Sequence, residues 1–233
     1  MTKQSIDKKD LEDLFNRYSG IDCTSMYDSN EAFNELLRYL PNAKLDNDAP
    51  DGYCRLNENK ILIMEHFRFD ATKVKKKKGS RIFRELHRVF LSKEQKNIID
   101  CSISINYYWE NLKENYIRHC QNFQKYKNNL INKKICNKDT EFELAFFIED
   151  TTPIGAVNEC TQKRIYAIFC DKFIDLFENC KNVDYIFNYS EVNKIKKILF
   201  VDKNGINNLR ENQIFIDKIT LIDWEINSYK IEF

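Results

Sequence analysis

Residues 142–148 read FELAFFI, an apolar run broken only by Glu143 and closed by Glu149-Asp150. A strand with one face in water alternates apolar and polar residues, so a run of this kind needs cover on both faces. A second short run, KILFV at 197–201, and the tail ITLIDWEI carry further strand character. Helical patterns lie between such segments. At 29–40, Phe33, Leu36, Leu37 and Leu40 form one stripe behind a cap that either Asp28 or Ser29 can supply, and Pro41 ends it. Over 103–135, Tyr107, Tyr108, Leu112, Tyr116, Cys120, Phe123 and Tyr126 recur at helical spacing. Residues 1–20, 81–92 and 162–180 read as further helices, although RIYAIFC within the last also suits a strand. The order predicts one α/β domain over 1–233, with α+β as the alternative: a mixed central sheet flanked by helices.

Composition bounds the function. The 233 residues are 42% hydrophobic and 13% aromatic, enough to bury a core, and no apolar run reaches transmembrane length. The opening MTKQSIDKKDLEDLF lacks the apolar stretch of a secretion signal, so a soluble cytoplasmic protein is expected. A formal net charge of +1 means that any attraction for phosphate must come from local clusters. The 8 Cys form no CxxC and predict reduced, mostly buried thiols. Neither a P-loop, nor a dinucleotide fingerprint, nor a GxSxG elbow is present.

Chemistry concentrates in APDGYCRLNENKILIMEHF, residues 49–67. Strands are expected at 53–56 and 60–67. If Asn57, Glu58 and Asn59 form a three-residue hairpin loop, Leu56 pairs with Lys60, and counting outward sets Asp51 opposite Glu65. Opposed side chains share a face about 4.5–5.5 Å apart. Two carboxylates that close need a cation between them or a proton on one. Ile61, Ile63 and Phe67 share the face of Glu65, which places the acid at the rim of an apolar surface, and His66 points the other way. A one-residue slip would destroy the pairing.

The hairpin resembles the PD-(D/E)XK, or restriction-endonuclease-like, nuclease superfamily over about residues 28–95. Pro50-Asp51 stands for its Pro-Asp and Glu65 for its second acid, after a helix. The resemblance implies a restriction-endonuclease-like core and hydrolysis of phosphodiesters with Mg²⁺ or Mn²⁺ held by Asp51 and Glu65. It implies nucleic acid as the partner, DNA ahead of RNA. Where the superfamily has lysine two residues after the acid, this chain has Phe67. Lys73 is the nearest replacement, and Lys75, Lys76, Lys77 and Lys78 behind it would hold neighbouring phosphates. Phe67 equally suits an inert relative of that fold that binds nucleic acid or a protein.

Other residues carry weaker signals. Glu31 and Glu35 are candidate acids on the preceding helix. Glu149, Asp150 and Asp202 close strands, where α/β proteins place ligands or begin turns. His87 and His119 each lack an HExxH partner and read as surface or core histidines. The aromatics of 103–135 can form core, stack bases, or face a second copy of the chain in a homodimer.

Overall fold

The computed structural model describes residues 23–25, 30–46, 49–74, 98–150, 176, 180–192, 195–202 and 225–232. In chain order these form β1 (Cys23–Ser25), α1 (Asn30–Tyr39), a 3₁₀ turn (Leu40–Asn42), β2 (Lys44–Leu45), β3 (Gly52–Asn57), β4 (Lys60–Phe69) and β5 (Thr72–Val74). There follow β6 (Ile98–Ser104), α2 (Ile105–Gln121), α3 (Phe123–Asn132), β7 (Glu141–Asp150), β8 (Tyr185–Val192), β9 (Ile195–Asp202) and β10 (Glu225–Glu232).

Seven strands make one mixed sheet in the order β1-β9-β8-β7-β4-β3-β2. β7 lies parallel to β4 on one side and to β8 on the other. Residues 144–150 are all buried, as the unbroken apolar run requires. Alternate residues feed two cores. Ile61, Ile63, Phe67, Leu144, Phe146 and Ile148 point to α2 and α3, which answer with Leu112, Tyr116, Phe123 and Tyr126. Leu62, Met64, Ala145, Phe147 and Phe187 point to the other side, where α1 supplies Leu36 and Leu40. The class is therefore α/β, a mixed sheet with helices on its two faces. Among the described residues no helix is long and apolar enough to cross a membrane.

The aromatics Tyr108, Trp109, Tyr116, Phe123 and Tyr126 are core, which takes them from the base-stacking and dimer readings. Cys54, Cys120 and Cys180 are buried free thiols and Cys136 is half-buried. The long helical segment starts later than 103, because Ser104 ends a strand and its side chain caps α2 by accepting the Tyr107 N–H at 3.1 Å. It also divides at Asn122.

β5, β6 and β10 make a separate antiparallel sheet, ordered β10-β6-β5. The basic segment was expected to be a loop from Lys73 onward, but Lys73 lies in β5 opposite Ser102 of β6. Asp70 turns the chain out of β4 by accepting the Thr72 N–H at 2.8 Å, and Asn111 of α2 pins the bend through the carbonyls of Asp70 and Thr72. Lys75, Lys76, Lys77 and Lys78, His87, the helices at 1–20 and 81–92, and most of 162–180 lie outside the described residues.

Candidate functional site

The β3–β4 hairpin places Gly52 opposite Met64, Tyr53 opposite Ile63, Cys54 opposite Leu62 and Arg55 opposite Ile61. These are the pairs expected from the sequence, reached by a different turn. Asn57, not Leu56, pairs with Lys60, leaving Glu58-Asn59 as the turn and a bulge at Leu56. The bulge restores the residue by which the turn is shorter, so the distal register is unchanged. One step beyond Gly52 and Met64, side chains take over the work of the ladder. The Asp51 N–H donates to Glu65 Oε1 at 3.1 Å, and the His66 N–H donates to Asp51 Oδ2 at 2.8 Å. The loop before Asp51 is held by Asn129 of α3, which donates to the Ala49 carbonyl at 2.7 Å.

The pair is more enclosed than a rim position: Glu65 is only 2% exposed. His119 of α2 reaches it, with Nδ1 2.7 Å from Glu65 Oε2. The His119 ring stacks on Phe67, centroids 5.1 Å apart and planes 14° apart. Tyr126 of α3 brings its hydroxyl to 3.2 Å from His119 Nδ1 and hydrogen-bonds Glu65. Behind His119, Arg118 Nη2 lies 3.3 Å from Nε2 and donates to Asn115 Oδ1 at 2.9 Å. A guanidinium only donates, so Nε2 accepts and Nδ1 carries the proton that faces Glu65.

Charge in this enclosure is poorly balanced. Burial pushes Glu65 up to about 7, against hydrogen bonds from Tyr126 and the Asp51 backbone that favour the anion. Asp51 is pushed up to about 7 by burial and then by the charge of Glu65. Burial, followed by the Arg118 charge, lowers His119 to about 4. A neutral imidazole cannot compensate two carboxylates, so near pH 7 the pair takes up a proton or a cation. The donors on offer are hard carboxylate oxygens, which suit Mg²⁺ or Mn²⁺. Among the described residues no group of three or more His, Cys, Asp and Glu side chains is arranged to hold a metal ion. Mg²⁺ characteristically uses only one or two carboxylates and completes its shell with water and substrate phosphate, so two acids are a sufficient protein share.

Asp51 and Glu65 are thus together, and Lys73 is not with them. Strand β5 carries it into the second sheet, where its ammonium sits 5.1 Å from the centre of the Tyr107 ring. The helix bearing Glu31 and Glu35 packs on the opposite face of the main sheet. Asp150 shares the Glu65 face but stands opposite Phe69, roughly 13 Å further along the strand, and accepts the Tyr108 hydroxyl at 3.2 Å. Asp202 lies on β9, three strands from β4.

The sequence did not place His119, Tyr126 or Arg118 beside Asp51 and Glu65, although Tyr126 and Arg118 lie in the helical segment that could stack bases or grip a backbone. A signal for His119 was available: with Leu112, Tyr116, Phe123 and Tyr126 it continues a buried stripe at three- and four-residue spacing. A polar side chain on such a stripe needs a buried partner. Comparison with family models, curated proteins and solved structures finds no match to this chain.

Proposed function

We propose that the chain is a divalent-metal-dependent nuclease, a hydrolase of phosphodiester bonds acting on DNA ahead of RNA. The observation that carries this reading is the Asp51–Glu65 pair: two carboxylates interlaced across a hairpin, with no cationic side chain between them among the described residues. The hairpin also supports the resemblance to the PD-(D/E)XK superfamily, with Pro50-Asp51 entering its first strand and Glu65 on its second. Mg²⁺ or Mn²⁺, when bound, supplies the Lewis acidity that polarises a phosphodiester and makes an attacking water more acidic. The chain's own residues hold the acids for it. The His66 N–H fixes one oxygen of Asp51, and the Asp51 N–H, His119 and Tyr126 fix Glu65.

One observation favours a second reading, an inert protein of this fold that binds nucleic acid or a protein. Phe67, 5% exposed, fills the place of a strand lysine with core, and a shared proton satisfies the acids without metal.

The test is cleavage of supercoiled plasmid, single-stranded DNA and RNA with Mg²⁺ or Mn²⁺, using wild type, Asp51→Asn and Glu65→Gln. The nuclease reading expects metal-dependent cutting that falls by at least about 10²-fold in each variant, the scale of losing charge stabilisation at a reacting phosphate. Equal cutting by all three proteins would remove the pair from the mechanism. Absence of cutting on every substrate would favour the inert reading.

A further inference from the structure

The cations of the superfamily-like hairpin are engaged away from the acid pair, Arg55 with the Glu58 and Ile135 carbonyls, Lys60 with Glu143 and Arg68 with Glu149, and Lys73 beyond it faces Tyr107. A group that handles phosphodiesters needs positive charge aimed at the phosphate oxygens. Lys125 and Lys133 line a cavity with Ala49, two residues before Asp51, and Lys133 is paired with Asp46; a fixed cation whose charge acts on Glu65 is Arg118. It is exposed, one imidazole ring away from Glu65 Oε2, and its charge acts on both Glu65 and His119.

Arg118 is also held in place. Its Nη2 donates to Asn115 Oδ1 at 2.9 Å, and Asn115 is 1% exposed. Asn115 is itself fixed, because its amide nitrogen donates to the carbonyls of Asn111 at 3.0 Å and Arg68 at 3.3 Å. The same Nη2 points at His119 Nε2. Both protein contacts therefore fall on a single nitrogen. Nη1 and Nε make no hydrogen bond among the described residues, so their N–H groups remain as donors on an exposed, pre-oriented side chain. Nη2 belongs to both forks of the guanidinium and is occupied, so the free Nη1 offers a charge-assisted hydrogen bond to a single phosphate oxygen.

We propose that Arg118 is a phosphate-contacting cation of this site, its free Nη1 N–H groups donating to a nonbridging oxygen of a nucleic-acid backbone beside Asp51 and Glu65. The proposal rests on reading the acid pair as a phosphodiester site. It locates the positive charge on the helix that packs over the hairpin, where the sequence sought it in the segment following β4.

The experiment separates the two ideas by measuring binding and turnover independently. A fluorescein-labelled DNA of about 20 nucleotides, single- and double-stranded, is titrated with the full chain in EDTA at about 50 to about 200 mM salt. Arg118→Gln is expected to weaken binding several-fold and to reduce the slope of log K against log salt by about 1. Arg118→Lys should recover part of the affinity, because the charge returns without the guanidinium's anchored direction. Lys113→Gln, which removes an exposed cation on the same helix, is expected to bind as wild type. Turnover in Mg²⁺ is then compared for the same proteins. Binding that depends on Arg118 in a chain that cuts nothing would defeat the nuclease reading and leave the phosphate contact standing. Cutting that depends on Asp51 and Glu65 while Arg118→Gln binds and cuts as wild type would overturn the present inference alone. Wild type that binds neither DNA would also overturn it.

Discussion

Glu65 and His66 are neighbours on β4, and the two faces they serve resolve buried charge in opposite ways. On the face of His66, Glu149 Oε2 lies 3.3 Å from His66 Nε2 and 2.5 Å from Arg68 Nε. Burial alone would raise the Glu149 pKa. The His66 hydrogen bond and the Arg68 guanidinium outweigh it and hold the carboxyl down at about 2. On the other face the same kind of burial acts on Glu65, whose nearest charged neighbour is another acid, and both acids rise to about 7. Desolvation is common to both clusters; the counter-charge is what differs. A cluster that carries its own cation is complete as structure. A cluster with no cation between its acids among the described residues is open to a proton or a metal ion.

The largest effect that would sharpen this contrast is expected on the completed side. Arg68→Ala removes the guanidinium that balances Glu149, and breaking such a pair in a mostly dry setting costs about 2–3 kcal/mol. Arg68 is part-exposed, with 17% of its side chain accessible, which keeps the expected loss at the lower end for buried pairs. Urea unfolding at pH 7 measures it. A loss below about 0.5 kcal/mol would place this cluster among ordinary surface ion pairs and dissolve the comparison.

Much of this arrangement was legible because it depends on short-range patterning. The run at 142–148 announced a strand covered on both faces, and alternation along 60–67 put His66 opposite to Glu65. The Asp51–Glu65 pairing was also readable, although the turn was not. The Leu56 bulge exchanges a three-residue loop for a two-residue turn, and Asn57 Oδ1 accepts the Asn59 N–H at 2.9 Å within it. Counting across the turn gave the same distal register in either form. What lay out of reach was contact between distant segments. His119 is 54 residues from Glu65 in sequence, and Arg68 is 81 from Glu149. Strand β8, YIFNYSEV, was not anticipated either; parallel pairing with β7 and antiparallel pairing with β9 define it. Lys73 was misplaced for a related reason. A charge run suggests a solvated loop, whereas pairing with β6 draws its first residues into a second sheet.

On the acid face, the comparison makes a binding prediction next in size. If the pair awaits a cation, Mg²⁺ or Mn²⁺ at about ten times its Kd stabilises wild type by about 1.4 kcal/mol, seen as a higher unfolding midpoint. Asp51→Asn and Glu65→Gln should lose that gain, and Arg68→Ala should keep it. A midpoint that does not move with either ion at pH 8, where both acids have largely lost their protons, would mean that the pair does not bind divalent metal.

The smallest effect has the most diagnostic sign. Both acids have folded-state pKa values near 7, above those of ordinary carboxyls, so the native chain binds more protons than the unfolded chain between about pH 4 and 7. Their contribution to stability therefore falls as pH rises through that window. His119 opposes part of this trend, since its lowered pKa makes the native chain bind fewer protons below about 6.5. Asp51→Asn removes one of the two raised groups and relieves the repulsion on the other, while the Asn carbonyl can still accept the His66 N–H. In the absence of divalent metal the variant is expected to match wild type near pH 5 and to exceed it at pH 8 by on the order of 1 kcal/mol. Thermal or urea unfolding across pH 5–8 measures the difference. A variant less stable than wild type at pH 8 would show that Asp51 is held by compensated contacts, as Glu149 is, and the two faces of β4 would then differ in residue content but not in kind.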